Sequence, residues 1–118
     1  MINRKQKPYK YDRMASEIER VITEVISYEV SDKRVMGNCE VTGIILSKDY
    51  SHCKVFVDIK IDDKKEVIDG LKNASGFIKH IVTDQLDLRK VPELSFIIDE
   101  TKQRVDRINE LLEQIKSN

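Results

Sequence analysis

Residues 53–61 alternate between apolar and mostly polar side chains, and this alternation constrains the fold more than any other feature of the chain. Successive side chains of a strand point to opposite faces, so the pattern predicts a strand with one apolar and one mostly polar face. Residues 39–47 are rich in β-branched side chains and predict its antiparallel partner across a short turn. The sheet is therefore expected to be covered on one side only. The apolar positions of the alternating strand are Cys53, Val55, Val57, Ile59 and Ile61.

Three other segments carry apolar side chains at helical spacing, namely residues 14–26, 67–86 and 105–115. The middle segment is long and holds a glycine near its centre, so we expect a kink at residues 74–76 that divides it into two helices. A third strand is predicted over residues 94–98, beyond Pro92. The resulting order is α-β-β-α-kink-α-β-α, an α+β domain with a three-stranded sheet covered on one face by helices.

The length of 118 residues fits a single domain. We divide it into a flexible basic N-terminal arm at residues 1–11 and one domain at residues 12–116. Apolar runs are too short for a membrane span, and no apolar stretch follows the basic start as it would in a secretory signal. These observations predict a cytoplasmic protein that does not enter a membrane. No oligomerisation surface stands out, so a monomer is expected.

The residues that could carry catalysis or bind metal are scattered in the predicted fold. A hairpin centred near Asp49 would pair Cys39 with Ile59 and Cys53 with Ile45, which separates the two sulfurs by roughly 20 Å. Both thiols are therefore expected to be reduced, and neither lies beside a histidine at metal-ligand spacing. Acidic pairs precede two predicted helices, at residues 62–63 and 99–100, where capping explains them. We predict no enzyme, no metal site and no cofactor.

Basic residues are concentrated in two groups, although the formal net charge is zero. Residues 1–13 carry a balance of +4, which the rest of the chain offsets. Such groups can neutralise RNA phosphates, and the tyrosines within the arm can stack on bases, whereas the alternative is that they are ordinary solvated faces. The arm group is Arg4, Lys5, Lys7, Lys10 and Arg13, and the second group is Lys72, Lys79, His80, Arg89 and Lys90.

The order of elements and two sequence blocks resemble the bacterial ribosome-binding factor A family. The blocks are residues 71–79, LKNASGFIK, and residues 88–96, LRKVPELSF, within a match from about Arg13 to Ile115. This resemblance implies a type II KH-like fold in which a helix–kink–helix replaces the G-x-x-G loop. Its Ala-x-Gly kink motif corresponds here to Ala74, Ser75 and Gly76. The family's Asp-Pro-Arg turn is Asp-Lys-Arg here, with Lys33 in place of the proline, so a looser turn is expected.

The resemblance also implies a function in ribosome biogenesis. Family members bind the free small (30S) ribosomal subunit and its 16S rRNA, not the assembled ribosome. They support late maturation and 5′-end processing of that rRNA, most of all at low temperature. On this basis the kink motif, the second basic group and the arm are expected to form the RNA-binding face. The alternative is a protein-interaction module without direct RNA binding, marked by an exposed apolar patch such as Phe56 with Tyr50.

Overall fold

A computed structural model describes the backbone of residues 9–117. Three helices and three strands follow one another in the order α1-β1-β2-α2-β3-α3. Within the described residues, no helix is both long and apolar enough to cross a membrane. The elements are α1 (Tyr9–Tyr28), β1 (Cys39–Leu46), β2 (His52–Ile59), α2 (Lys64–Leu86), β3 (Glu93–Ile98) and α3 (Thr101–Ser117).

The three strands form one mixed sheet with β2 in the centre. β1 pairs antiparallel with β2, and β3 pairs parallel with β2 after the crossover through α2. α1 and α2 lie on the face that carries the apolar side chains of β2, which are fully or almost fully buried. None of the described helices packs on the opposite face, which presents His52, Lys54 and Phe56 from the central strand. The predicted α+β architecture with one covered face is confirmed.

The hairpin register agrees with the prediction at one end and differs by one residue at the other. Cys39 lies opposite Ile59 as expected, but Cys53 lies opposite Leu46 rather than Ile45. A β-bulge at Thr42 inserts one extra residue into β1 and shifts all later pairs. The sulfurs remain far apart, and both thiols are free. Burial raises the pKa of each cysteine to about 11, so neither is a thiolate near neutral pH.

α2 is one continuous helix, and in this respect the structure differs from the predicted helix–kink–helix. Helical structure runs unbroken through residues 74–76, and the φ angle of Gly76 is not positive. The helix begins as predicted, since the Asp63 carboxylate caps it by accepting a hydrogen bond from the Glu66 N–H at 3.1 Å. It ends at Asp87, whose left-handed conformation allows its N–H to bond Thr83. Packing along its length compensates for its internal glycines.

The turn after α1 is held firmly although it lacks the family's proline. Arg34 donates from Nε and Nη2 to the two carboxylate oxygens of Asp32, at 3.0 and 2.7 Å, and its backbone N–H donates to the same carboxylate. Val35 follows and is buried against α2, where Gly70 leaves room for it. The expected looser turn is therefore not observed, because an ion pair and a close helix contact replace the proline ring.

This ion pair predicts that part of the stability is lost in acid. Hydrogen bonds from the Arg34 side chain, then from its N–H, lower the pKa of Asp32 to about 2. A pKa below the unfolded value of about 3.9 stabilises the fold above pH 4, and that contribution disappears as the pH falls towards 2. We expect Asp32→Asn to lower the denaturant midpoint clearly at pH 7 and by much less at pH 2. Asp84→Asn, at an exposed position of α2, is the control and should not produce this difference.

α3 differs from the other helices because its described side chains are all exposed. The helix starts at Thr101, whose N–H donates to the Asp99 carboxylate at 2.9 Å, so capping of this helix by a preceding acidic side chain is confirmed. A hydrogen bond from the Thr101 hydroxyl, followed by those from the Thr42 hydroxyl and the Thr101 N–H, lowers the pKa of Asp99 to about 2. The apolar spacing predicted a helix, but its apolar side chains add nothing to the core.

Candidate nucleic-acid interface

Two loops meet at one end of the sheet, which we call the turn end and define as residues 47–51 and 87–92. The hairpin turn closes there because β1 ends and β2 begins at this edge, and parallel β3 begins beside β2. The Glu93 N–H donates to the Ser51 carbonyl at 2.9 Å and ties the second loop to the first. Any cations on these loops are therefore held close together.

The hairpin turn at this end is ordered by the carboxylate of Asp49. It accepts hydrogen bonds from the Ser51 hydroxyl at 2.7 Å, the Ser47 hydroxyl at 2.8 Å and the Ser51 N–H at 3.1 Å. These bonds hold the pKa of Asp49 well below its usual range, and the positive charge of Lys90 lowers it further. Lys90 therefore lies near the turn, where it partly offsets the charge of Asp49.

The structure brings three predicted residues to the turn end. Arg89 and Lys90 are exposed on the α2–β3 loop. Lys79 reaches the same end from α2, but its ammonium pairs with the Glu93 carboxylate at 3.0 Å and its side chain is only 29% exposed. Its charge is partly neutralised, so Arg89 and Lys90 are better placed for phosphate contacts.

Lys72 and His80 are also exposed on α2, on the side away from the sheet. Lys72 lies seven residues before Lys79, about 10 Å along the same helix face, so it extends the basic surface along α2 rather than joining the turn end. His80 directly follows Lys79 and lies beside that face. The second basic group is thus a band along α2 that leads to the loop.

Residues 74–76 form the middle of this band. Ala74 is half-buried against the core, and the Ser75 hydroxyl donates to the Lys72 carbonyl at 2.8 Å, inside the helix. Gly76 is exposed, and nothing lies within 4 Å of the position that a side chain would occupy there. A partner can therefore approach the helix backbone closely between Lys72 and His80. Phe77, which follows, has 45% of its surface exposed.

The arm group is only partly described. Arg4, Lys5 and Lys7 lie outside the described residues, and Lys10 belongs to the first turn of α1 although its side chain is not described. Arg13 is exposed on α1. Burial raises the pKa of Cys53, and the negative charge of Glu19 raises it further. Cys53 is the second residue of β2, so the part of α1 around Glu19 lies near the turn end. Arg13 lies six residues before Glu19 on the same helix.

Two further exposed cations were not among the predicted residues. Lys48 lies in the hairpin turn, and Lys54 lies on the uncovered face of β2. Neither stands in a basic run of sequence, so charge clustering gave no sign of them. The order of the strands identifies Lys48, since it places the hairpin turn beside the α2–β3 loop.

The contact between Ser51 and His52 does not form a nucleophile–base pair. Ser51 lies between Asp49 and His52, with its oxygen 2.9 Å from the His52 Nδ1. Its hydroxyl donates to Asp49 instead of to the histidine, so the histidine does not activate it as a base would. In the described part of the chain, no three metal-ligating side chains come together.

Comparisons with known proteins agree with the fold and the sequence blocks. A model of the ribosome-binding factor A family matches residues 10–112. Ribosome-binding factor A of Syntrophomonas wolfei subsp. wolfei is 38% identical over 110 residues, 91% of this chain and 90% of that protein. That of Microcystis aeruginosa is 36% identical over 112 residues, 92% of this chain and 88% of that protein.

Solved structures give the same result for the fold. The crystal structure of ribosome-binding factor A from Thermus thermophilus superposes with a TM-score of 0.67 at 22% identity, over 74% of this chain and 92% of that one. A Thermus thermophilus homology model, fitted into the cryo-EM map of a 30S complex with ribosome binding factor A, gives 0.63 at 22% identity, over 75% and 93%. With the match over residues 10–112, these results show that the chain belongs to the ribosome-binding factor A family.

Proposed function

We propose that this protein is a ribosome assembly factor that binds the small ribosomal subunit through its 16S rRNA. Membership of the ribosome-binding factor A family is the observation that carries this proposal. The Thermus thermophilus relative fitted into the map of a 30S complex supports it. The band along α2 and the turn end supply a surface of suitable charge, with Lys72, Arg89 and Lys90 exposed.

The charge pattern favours recognition of folded RNA by shape and phosphates. Cations along a helix and on one loop can contact successive phosphates, and such contacts fix orientation without reading sequence. The open backbone at Gly76 permits close approach of a ribose or phosphate. The acidic remainder of the molecule disfavours other orientations on the RNA, so the bound pose is set by the basic side.

The finer steps of the proposal concern maturation. By binding one arrangement of the rRNA more tightly than others, the factor shifts the subunit towards its late, mature form and assists 5′-end processing. This bias matters most in the cold, where incorrect RNA pairings last longer. The factor acts in the cytoplasm as a monomer, on the free subunit and not on the assembled ribosome, without chemistry of its own.

Charge reversal of the basic band tests the proposal. We expect the variant with Lys72, Lys79, Arg89 and Lys90 all changed to Glu to lose co-sedimentation with free small subunits. Each phosphate contact contributes about 0.7–0.9 to the slope of log affinity against log salt, so the slope should fall by roughly 2–4. Denaturant unfolding of the variant checks that the loss of binding is not a loss of fold.

The matched control places the same charge change elsewhere. Lys54, Arg104, Arg107 and Lys116 are exposed on the uncovered face of β2 and on α3, away from the band, and their replacement by Glu should leave most of the binding. If the band variant co-sediments normally, the assigned surface is wrong. If both variants lose co-sedimentation to the same extent, the overall charge of the protein and not this surface determines the affinity. Co-sedimentation of the wild type with whole ribosomes would contradict the restriction to free subunits.

The alternative, a protein-interaction module, has support from a different surface than expected. Tyr50 does not join Phe56 in an exposed patch, because it lies in the hairpin turn and packs against the core. Exposed apolar side chains occur instead at Ile45 and along α3. Under this alternative, ribonuclease treatment leaves the partner bound, whereas the proposed RNA contact is lost.

A further inference from the structure

α3 carries a continuous apolar stripe, and none of its described side chains belongs to the core or packs against it. Its five large apolar side chains are each 49–70% exposed. Their spacing places them on one side of the helix, while acidic residues occupy the other side. A single-chain protein rarely leaves such a surface uncovered. The stripe consists of Val105, Ile108, Leu111, Leu112 and Ile115.

The uncovered face of the sheet offers an apolar surface on the same chain. Phe56 and Ile97 lie on adjacent strands in register and are half-buried, and Ile45 on β1 is 58% exposed. Gly43 lies opposite Phe56, so its missing side chain leaves a hollow on this face. Nothing lies within 4 Å of the position that a side chain at Gly43 would take. An apolar side chain from outside can enter there.

The first turn of α3 already lies over this face. The Asp99 N–H donates to the Val57 carbonyl at 2.7 Å, and the Thr42 hydroxyl donates to the Asp99 carboxylate at 2.6 Å. Because Thr42 belongs to β1 and Asp99 follows β3, this bond crosses the central strand on the uncovered side. A groove of about 280 Å³ separates Phe56 from Thr101 and Arg104. The chain therefore lies over the uncovered face where α3 begins, and the rest of α3 extends away from that face.

The stripe is oriented for docking on this face. Thr101 and Arg104 precede Val105 and Ile108 by four residues each, so they share the side of the helix that bears the stripe. That side borders the groove beside Phe56. Closing the groove therefore requires a change in the angle of α3 at residues 99–100 and no rotation about its own axis. Its 17 residues span about 25 Å, close to the length of the strands below.

We propose that the uncovered face of the sheet is the docking surface for the apolar stripe of α3, and that α3 moves between the extended position and one closed over Phe56, Gly43 and Ile45. In the closed position the stripe is buried within one chain, which keeps the protein monomeric. The acidic side of α3 stays in solvent. The band along α2 lies on the other side of the sheet. A failure of this docking proposal can therefore be distinguished from a failure of the proposed RNA binding.

Small-angle X-ray scattering with mass determination tests this on the full chain. The extended position has a radius of gyration of 16.7 Å, whereas a compact chain of this length has about 13.5 Å. We expect the wild type to be smaller than the Leu111→Glu/Leu112→Glu variant by about 2 Å at the mass of one chain. Gln103→Glu/Gln114→Glu adds the same charge away from the stripe and should match the wild type.

A second variant addresses the sheet surface itself. Gly43→Glu places a charged side chain in the hollow, where its Cβ meets no neighbour, and should enlarge the protein as the stripe variant does. Equal radii of gyration for the wild type and the stripe variant would overturn the proposal, because α3 would then be extended in both proteins. A doubled mass that the stripe variant abolishes would also overturn it, since the stripe would then join two copies.

Discussion

Replacing Gly70 by alanine is expected to destabilise the domain by about 1–3 kcal/mol, although alanine is the better helix former. Gly70 is buried in α2, and a Cβ there would lie 2.9 Å from the Val35 Cγ2 and 3.1 Å from the Arg34 Cβ. Val35 is itself buried and β-branched, so it cannot turn away. The substitution must push the turn off α2 or bend the helix.

Gly76→Ala is the matched control because it makes the same chemical change in the same helix. Gly76 is exposed with open space around it, so alanine there should stabilise the protein by up to about 1 kcal/mol. Denaturant unfolding of the two variants measures both effects. Destabilisation by Gly76→Ala would indicate that this residue needs a conformation other than regular helix. Stabilisation by Gly70→Ala would show that the turn does not pack as described.

These two glycines show which information the sequence lacks. Both interrupt the same helical pattern, and the central position of Gly76 together with the family resemblance predicted a kink at residues 74–76. Only the tertiary contact with Val35 distinguishes Gly70, because a close approach between distant segments leaves no periodic signal. The hairpin register shows the same limit. Alternation indicated the faces of β2, but it did not reveal the bulge at Thr42, whose hydroxyl donates to the distant Asp99 carboxylate at 2.6 Å.

The sequence predicts which charged residues belong to the candidate interface, but it does not predict how they are arranged in space. Exposure of Arg89 and Lys90 follows from their position in a polar loop. Pairing of Lys79 with Glu93 and the nearness of Lys48 both depend on the strand order, which composition does not reveal. α3 marks the opposite case. Its apolar spacing resembles that of a core helix, yet amphipathic spacing alone does not say whether the partner surface lies within the domain.

The adjacent residues Phe77 and Ile78 should separate stability from binding. Ile78 is fully buried in the core, and Ile78→Ala is expected to destabilise the protein by about 2–5 kcal/mol through lost burial and a cavity. Phe77 is 45% exposed, so Phe77→Ala should change stability by less than about 1 kcal/mol. Phe77 also directly follows Gly76, beside the band, where an exposed ring can stack on an RNA base. Such a stack contributes about 1–3 kcal/mol, so we expect Phe77→Ala to weaken subunit binding about tenfold.

Unfolding by denaturant and titration of small subunits, performed on both variants, distinguish the two roles. Ile78→Ala should bind normally once it is measured at a temperature where it remains folded, because its side chain does not reach the surface. Phe77→Leu retains apolar contact without a ring, so it should bind like the alanine variant if stacking is responsible. Full binding by Phe77→Ala would exclude this ring from the interface and confine the RNA contacts to the cations. A large stability loss in Phe77→Ala would instead make the ring part of the core, because a ring that contributes only to binding leaves the unfolding midpoint unchanged.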